Sequence, residues 1–482
     1  MSVLTSLARL KAMREGVAQP IATVRHFHLA ERPMVFIPLK LSGEAAAPLA
    51  AMVGTEESAP RLMVVTQPRN RDLRFAFAAE LAGVLLPYIE GFLGRTETVE
   101  KKNAEPYERV LDAPQLLVPN RAGVAFTALL GRSTRFRRTD GPYPVAAEVP
   151  VLGRWLTYFA ERAGHPGSAL MPAMTEELAG HWASGQSALE DANLAALLGW
   201  IAPPEGMTGA RAAEAAEDPL RWPPAGPVTD PGFDADVLAP AIEEGSLTRI
   251  TEALHTQLEP TWRLMWQAVD LLRALPEGQG AAMRWEYDRG SFSAMAQQVA
   301  EGAPPQARRD GAVGAASRLA RLERAQASFE VQRAYDDPLV MAEYRLSGEA
   351  FAGEVVGVDL DHVEGEGRSR KLRPLVVLKT DDLVRLGPGT ALGSPDRRGH
   401  GAELVSVAGG LVTLKVTKGM GRGRLPAPGS VPEPGERLCY TSLTDDFQGS
   451  PALPEREQTP WTHGGPPQEY VPTDEDALEE WE

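Results

Sequence analysis

Residues 351–441 constrain the fold most tightly. Short alternating apolar runs at 352–358, 375–379, 402–407, 411–416 and 436–441 are separated by Gly- and Pro-marked breaks. Each run has the length and rhythm of a half-buried strand. Between the third and fourth stands Gly409-Gly410, a pair suited to the two-residue hairpin turn in which both central residues need positive φ. About five such strands at this spacing predict a small β-barrel over 346–443. The Pro/Gly-rich stretch that follows predicts an extended linker, leading to the acidic end Asp474-Glu475-Asp476-Ala477-Leu478-Glu479-Glu480-Trp481-Glu482.

A chain of 482 residues exceeds one ordinary core, so two to four domains are expected. Its 43% hydrophobic and 24% charged residues are those of a globular protein. The single cysteine, Cys439, lies in an alternating run and reads as a buried strand thiol, with a nucleophile as the alternative, in a reduced, cytoplasmic protein. No apolar run reaches the ~20 residues of a membrane span. Residues 1–15 read as an amphipathic helix with Leu4, Leu7 and Leu10 among Arg and Lys, without the apolar centre of a secretory signal. From Thr444 onward eleven acidic residues face one Arg, a net of −10 in a chain of net charge −16. That balance argues against indiscriminate coating of nucleic acid and leaves room for a local basic surface.

Upstream, residues 34–41, 61–66 and 115–118 read as strands and the Ala-rich stretch 43–52 as a short helix. Helices are expected over 73–92, capped by Asp72, and over 120–130, started by Asn120. This alternation predicts an α/β domain over 1–145. Residues 149–201, 237–275 and 314–336 carry helical periodicity, and the prolines of 202–232 predict a rigid irregular connection. The expected fold class is therefore multidomain α+β: an N-terminal α/β domain (1–145), a mainly helical region (146–345), a small β-barrel (346–443) and a disordered acidic tail (444–482).

The chemistry-bearing motifs are sparse. No G-x-x-x-x-G-K-[ST] stands anywhere, which disfavours a P-loop ATPase, and 419–424 is glycine-rich but opens no helix. There is no G-x-S-x-G elbow and no H-E-x-x-H. His26 and His28 are spaced to share a strand face and read as a solvent-facing or hydrogen-bonded pair, and His181 as a core histidine. Glu44, Asp72 and Glu80 are the acids a divergent metal-dependent hydrolase or nuclease would have to use. No catalytic residue, cofactor or metal ligand is assigned.

Basic clusters are more frequent. Arg69, Arg71 and Arg74 surround one loop. Arg132, Arg135, Arg137 and Arg138 crowd around Phe136. Arg368, Arg370, Lys371 and Arg373 lie between two barrel strands, and Lys415, Lys418, Arg422 and Arg424 in another barrel loop. Guanidinium forks suit phosphates, and an interleaved ring can stack on a base. The nucleic-acid contacts expected are Arg370, Lys371, Arg373, Lys418, Arg422 and Arg424, with Arg135, Arg137 and Arg138. In the tail, Leu478 and Trp481 punctuate the acids at helical spacing and read as anchors for a partner protein, or the tail as an internal competitor for the basic loops.

The run Gly353-Glu354-Val355-Val356, the strands at 375–379 and 402–416, and Gly435-Glu436-Arg437-Leu438-Cys439-Tyr440-Thr441 together resemble the small β-barrel of Upf1-like superfamily 1 helicases, over about a fifth of the chain. The resemblance implies a barrel that contacts or gates single-stranded nucleic acid beside an ATPase core. No such core is recognisable here, so helicase activity is not implied. The whole chain resembles actinobacterial proteins, which implies a lineage and no activity. The expected function is that of a non-enzymatic nucleic-acid-binding or helicase-associated protein, with DNA or RNA and a helicase or ATPase as partners and no membrane. The alternatives are a protein-interaction scaffold and the metal-dependent hydrolase.

Overall fold

The computed structural model describes residues 3–44, 46–100, 105–218, 228–365, 370–421, 425–444 and 471. It is a mixed α+β protein whose C-terminal part holds a closed barrel. The linker and acidic tail, with Leu478 and Trp481, lie outside the described residues, as do Arg422 and Arg424.

The N-terminal part is built on a four-stranded sheet in the order Arg61–Val64, Pro48–Gly54, Met34–Lys40, Leu116–Leu117, antiparallel except for the last pair. The Ala-rich stretch expected to be helical is here a central strand. Ala50 and Ala51 are fully buried between neighbours on both sides. Burial and ladder hydrogen bonds override the helix propensity of alanine, and small side chains let the covering helices approach. Leu247–Arg273, Arg71–Glu90 and Arg121–Thr134 all pack on this sheet.

Asn70 caps the Arg71–Glu90 helix, in place of the expected Asp72. Its side chain accepts from the amides of Asp72 and Leu73 at 2.9 and 3.1 Å. An Asx side chain caps best when it stands before the first helical turn, so the earlier of the two takes the role. Arg121–Thr134 is capped by Asn120, as its sequence predicts.

One hydrophobic core runs from Phe27 to Met295 without a break at 145/146, drawing Leu152 and Phe159 and also Leu254 and Met265 into contact with the sheet strands. The expected boundary there falls inside a continuous apolar interior. Within the expected irregular connection, Gly209–Ala216 is a helix capped by Thr208. Gln279–Ala300 and Pro338–Ser347 are helices that the sequence pattern did not show.

The barrel has six strands, closed in the order Leu375–Lys379, Leu411–Lys418, Gly401–Ala408, Ala391–Gly393, Arg437–Thr441, Ala350–Asp359 and back to the first. Its interior is filled by its own side chains, including Phe351, Val376, Leu404, Leu414 and Tyr440. Gly409 and Gly410 have φ of 58° and 77°, the hairpin turn that the sequence predicts. Ala391–Gly393 is the added strand, too short for periodicity to reveal.

Candidate functional site

The described parts of the two basic barrel loops, Arg370, Lys371 and Arg373 on one side and Lys415 and Lys418 on the other, are brought together. Strand pairing sets Leu375 opposite both Asp359 and Lys415, so the 360–374 connection and the end of the Leu411–Lys418 strand share one rim. Val363–Glu364 and Lys371–Leu372 pair as a small antiparallel ribbon above it. His362 fixes this excursion, its Nδ1 lying 2.7 Å from the carbonyl of Arg373. The Arg373 guanidinium donates to the carbonyl of Thr417 at 3.4 Å, directly beside Lys418. The aliphatic stem of Lys418 lies across Gly401, where a Cβ would stand 3.2 Å from it. Arg370 and Lys371 are exposed at the tip of the ribbon and Arg373 is half-buried at its base.

One cation on this rim is held within the barrel. Lys415 is held by Glu364 at 2.7 Å and Glu403 at 2.9 Å, and these bonds raise its pKa while lowering that of Glu364. It is a structural strut. Residues 351–443 nevertheless carry thirteen Lys and Arg against eleven Asp and Glu, in a chain whose net charge is −16. The barrel is thus a locally positive unit in an acidic protein.

The second cluster is placed elsewhere, at the C-terminal end of the Arg121–Thr134 helix. Arg135 is only 6% exposed. Its guanidinium donates to the carbonyls of Gln306 and Ala307 at 2.9 and 3.5 Å and stacks on Phe136. Arg137 donates to the carbonyl of Ser133 at 2.9 Å and lies over Phe75. Arg138 is exposed and 3.3 Å from Asp140. Arg135 therefore locks helix and loop together, where the sequence suggested a phosphate contact. The aromatic neighbour that looked like a base-stacking partner is its packing partner. The third cluster behaves similarly: Arg69 pairs with Glu44 at 2.9 Å, Arg71 with Asp72 at 2.8 Å, and Arg74 is buried against the carbonyl of Pro68.

The same pairs account for the acids of the hydrolase reading, since Glu44 and Asp72 each face an arginine and Glu80 is bridged by Arg61 at 3.4 Å. Among the described residues no three His, Cys, Asp or Glu side chains gather as a metal ion would require. Cys439 lies on a strand as expected but is half-buried, not buried, and the partial burial pushes its thiol up to about 12.

A buried polar cluster that sequence reasoning did not assemble joins the N-terminal part to the barrel-bearing helices. His26 Nε2 lies 3.3 Å from Asp337, and the His26 amide donates to His181 Nε2 at 3.0 Å. His181 Nδ1 faces the carbonyl of Glu177 at 2.6 Å. This fixes Nε2 as the acceptor and hence a neutral ring. Burial holds His181 at about 4 and keeps His26 below its ordinary value. Burial alone would raise Asp337, but His26, the amides of Thr23 and Leu339 and the Thr23 hydroxyl outweigh it and hold the carboxyl at about 2. His28 stands apart, stacked on Trp285 and 2.9 Å from Glu277. Beyond the reading of His181 as a core histidine, the sequence signal for this cluster is Asp337-Pro338, an N-cap followed by a first-turn proline. No helix among the described residues is long and apolar enough to cross a membrane. In comparison with known proteins, no family model, curated protein or solved structure matches the chain.

Proposed function

We propose that the chain is a nucleic-acid-binding accessory protein whose barrel rim grips the backbone of a single strand. The observation that carries this reading is the convergence of the two basic loops, with Arg373 bridging to the carbonyl beside Lys418 and Arg370 and Lys371 exposed above it. Arg370, Lys371 and Lys418 contact phosphates, and Arg373 positions the ribbon that carries two of them. Arg422 and Arg424, later in the same loop as Lys418, extend the contact by their sequence position. Such a rim reads backbone charge and carries little base specificity. A role beside a nucleic-acid motor agrees with the resemblance of the barrel to that of Upf1-like helicases.

The test is fluorescence anisotropy of the full chain with single-stranded and duplex DNA and RNA across a salt series. Each phosphate contact contributes about 0.7 to the slope of log affinity against log salt for a single strand. Arg370→Ala/Lys371→Ala/Lys418→Ala is therefore expected to lower the slope by about 2 and to weaken binding at low salt. An unchanged slope and affinity in this variant would remove the proposal.

A further inference from the structure

The Val3–Glu15 helix turns apolar side chains to solvent. Val3, Leu7, Leu10 and Met13 are 66, 56, 63 and 62% exposed, although its opposite face is seated and Ala12 is fully buried. Positions 3, 7, 10 and 14 follow the i, i+4, i+3 spacing that puts them on one stripe, so Arg14 continues the row, with Lys11 and Met13 to either side. The Lys11 and Arg14 side chains are largely exposed, and Glu15 lies 3.9 Å from each at the end of the helix. Four large apolar side chains within eleven residues, edged by cations, form a surface that wants a cover.

We infer that this stripe is the docking site for the chain's own acidic C-terminal segment, with Leu478 and Trp481 as the apolar anchors. Three observations select that occupant. The first is position: Leu443 packs in a small cluster with Val340 and Tyr344 of the Pro338–Ser347 helix, and Glu343 of that helix accepts from Thr5 of the first helix at 3.4 Å. Leu443 therefore lies one helix away from the Val3–Glu15 helix, on the seated side that Thr5 shares with Ala12. The second is reach: Leu478 lies 35 positions beyond Leu443, over which even a random coil would span roughly 33 Å and an extended linker more. The third is complementarity: Leu478 and Trp481 are spaced i, i+3 with Glu479, Glu480 and Glu482 around them, matching an apolar row edged by Lys11 and Arg14. Tethering makes the contact intramolecular, so modest affinity suffices to hold it closed.

Disulfide trapping in the full chain tests this. Met13→Cys with Ala477→Cys places thiols beside the stripe and the anchors without removing any charge or the two anchor residues. Cys439, half-buried with its thiol pushed to about 12, stays out of exchange near pH 8. The control pair is Asp140→Cys with Ala477→Cys, at an exposed loop position. The 13/477 pair is expected to close as a monomer at least ~10-fold faster than the control, reflecting the raised local concentration of a docked segment. The advantage should vanish on adding Leu7→Asp/Leu10→Asp or Leu478→Ser/Trp481→Ser, all at exposed or tail positions, and shrink in 1 M salt as the charges are screened to ~3 Å. Equal closure rates for the two pairs would overturn the inference, as would an advantage that survives Leu7→Asp/Leu10→Asp. Concentration-dependent cross-linked dimers in place of the closed monomer would assign the stripe to a second copy and overturn it equally.

Discussion

Buried imidazoles give this protein a defined acid response. His181 beside His26, and His400 against Tyr440 in the barrel, are each held at about 4 by burial. An unfolded histidine takes its proton near pH 6.5. Between pH 6.5 and about 4 the unfolded chain therefore binds more protons than the folded one, and stability falls as pH drops through that window. Each histidine accounts for roughly 3 kcal/mol over the full range. Asp337 acts lower: its stabilisation is present above the ordinary carboxylate range and is lost as pH falls towards about 2. Urea midpoints measured from pH 7.5 to 4.5 should decline, and His181→Gln should flatten part of that decline. A midpoint independent of pH would contradict the neutral, buried assignment. At this scale the sequence was readable where one residue suffices: Asn120 as a cap and His181 as a core histidine. It was unreadable where a charge changes role on burial. Arg135 looks like a phosphate ligand in sequence because nothing local announces that the carbonyls of Gln306 and Ala307 will surround it.

Helices show the same division. Ala281, Trp285, Asp288, Phe292 and Met295 form the buried stripe of Gln279–Ala300, spaced 4, 3, 4 and 3 as a helix seam should be. Asp288 hides it. This carboxylate is buried in the middle of the seam, accepting from Arg162, Ser168 and the amide of Ala169 at 2.7 to 2.8 Å. An apolar-periodicity argument drops the helix at the residue that ties it to the rest of the fold. Where Arg121–Thr134 crosses Glu148–Ala163, the sequence is again silent, because glycine in a helix reads as a weakness. A Cβ on Gly153 would stand 2.3 Å from the Arg135 nitrogen, and one on Gly131 2.6 Å from the Thr157 nitrogen. Both glycines are there so that two backbones can touch. Gly153→Ala should push the helices apart and cost about 1–3 kcal/mol or more. Gly83→Ala in the Arg71–Glu90 helix, where a Cβ meets nothing within 4 Å, should stabilise by about 0.5–1 kcal/mol. Thermal melts of the two variants should move in opposite directions, and a shared direction would refute this reading of the crossing.

For the whole molecule, the sequence pattern located the barrel but placed a boundary through a continuous core. Periodicity reports which face of an element is apolar, and is silent on which other element covers it. The structure has two large apolar interiors, one from Phe27 to Met295 and one inside the barrel. The joint between them is mostly polar. Arg398 pairs with Asp336 at 2.5 Å, Arg345 grips Asp382 through two bonds of 2.7 and 2.9 Å, and the Tyr335 hydroxyl donates to the carbonyl of Leu443 at 2.9 Å. Ala334, Met341 and Ala350 form a small apolar seam there. Separate interiors across a polar joint should unfold separately, so calorimetry is expected to show a calorimetric enthalpy above the van't Hoff value. A ratio of one would mean that the joint couples them fully.

The closure of the barrel carries one more consequence. A sheet whose last strand pairs with its first leaves no row of unbonded amides and carbonyls along its side. The seam between Ala391–Gly393 and Arg437–Thr441 rests on the single pair Gly393 and Thr441, so a guest strand, whether an extended peptide or a neighbouring copy seeding a fibre, finds only a short edge to join. Elsewhere around the barrel, side chains and loop tips are what the surface offers. A short change in the 360–374 or 418–436 connections could thus retarget the molecule, while the ladder beneath them stays as it is.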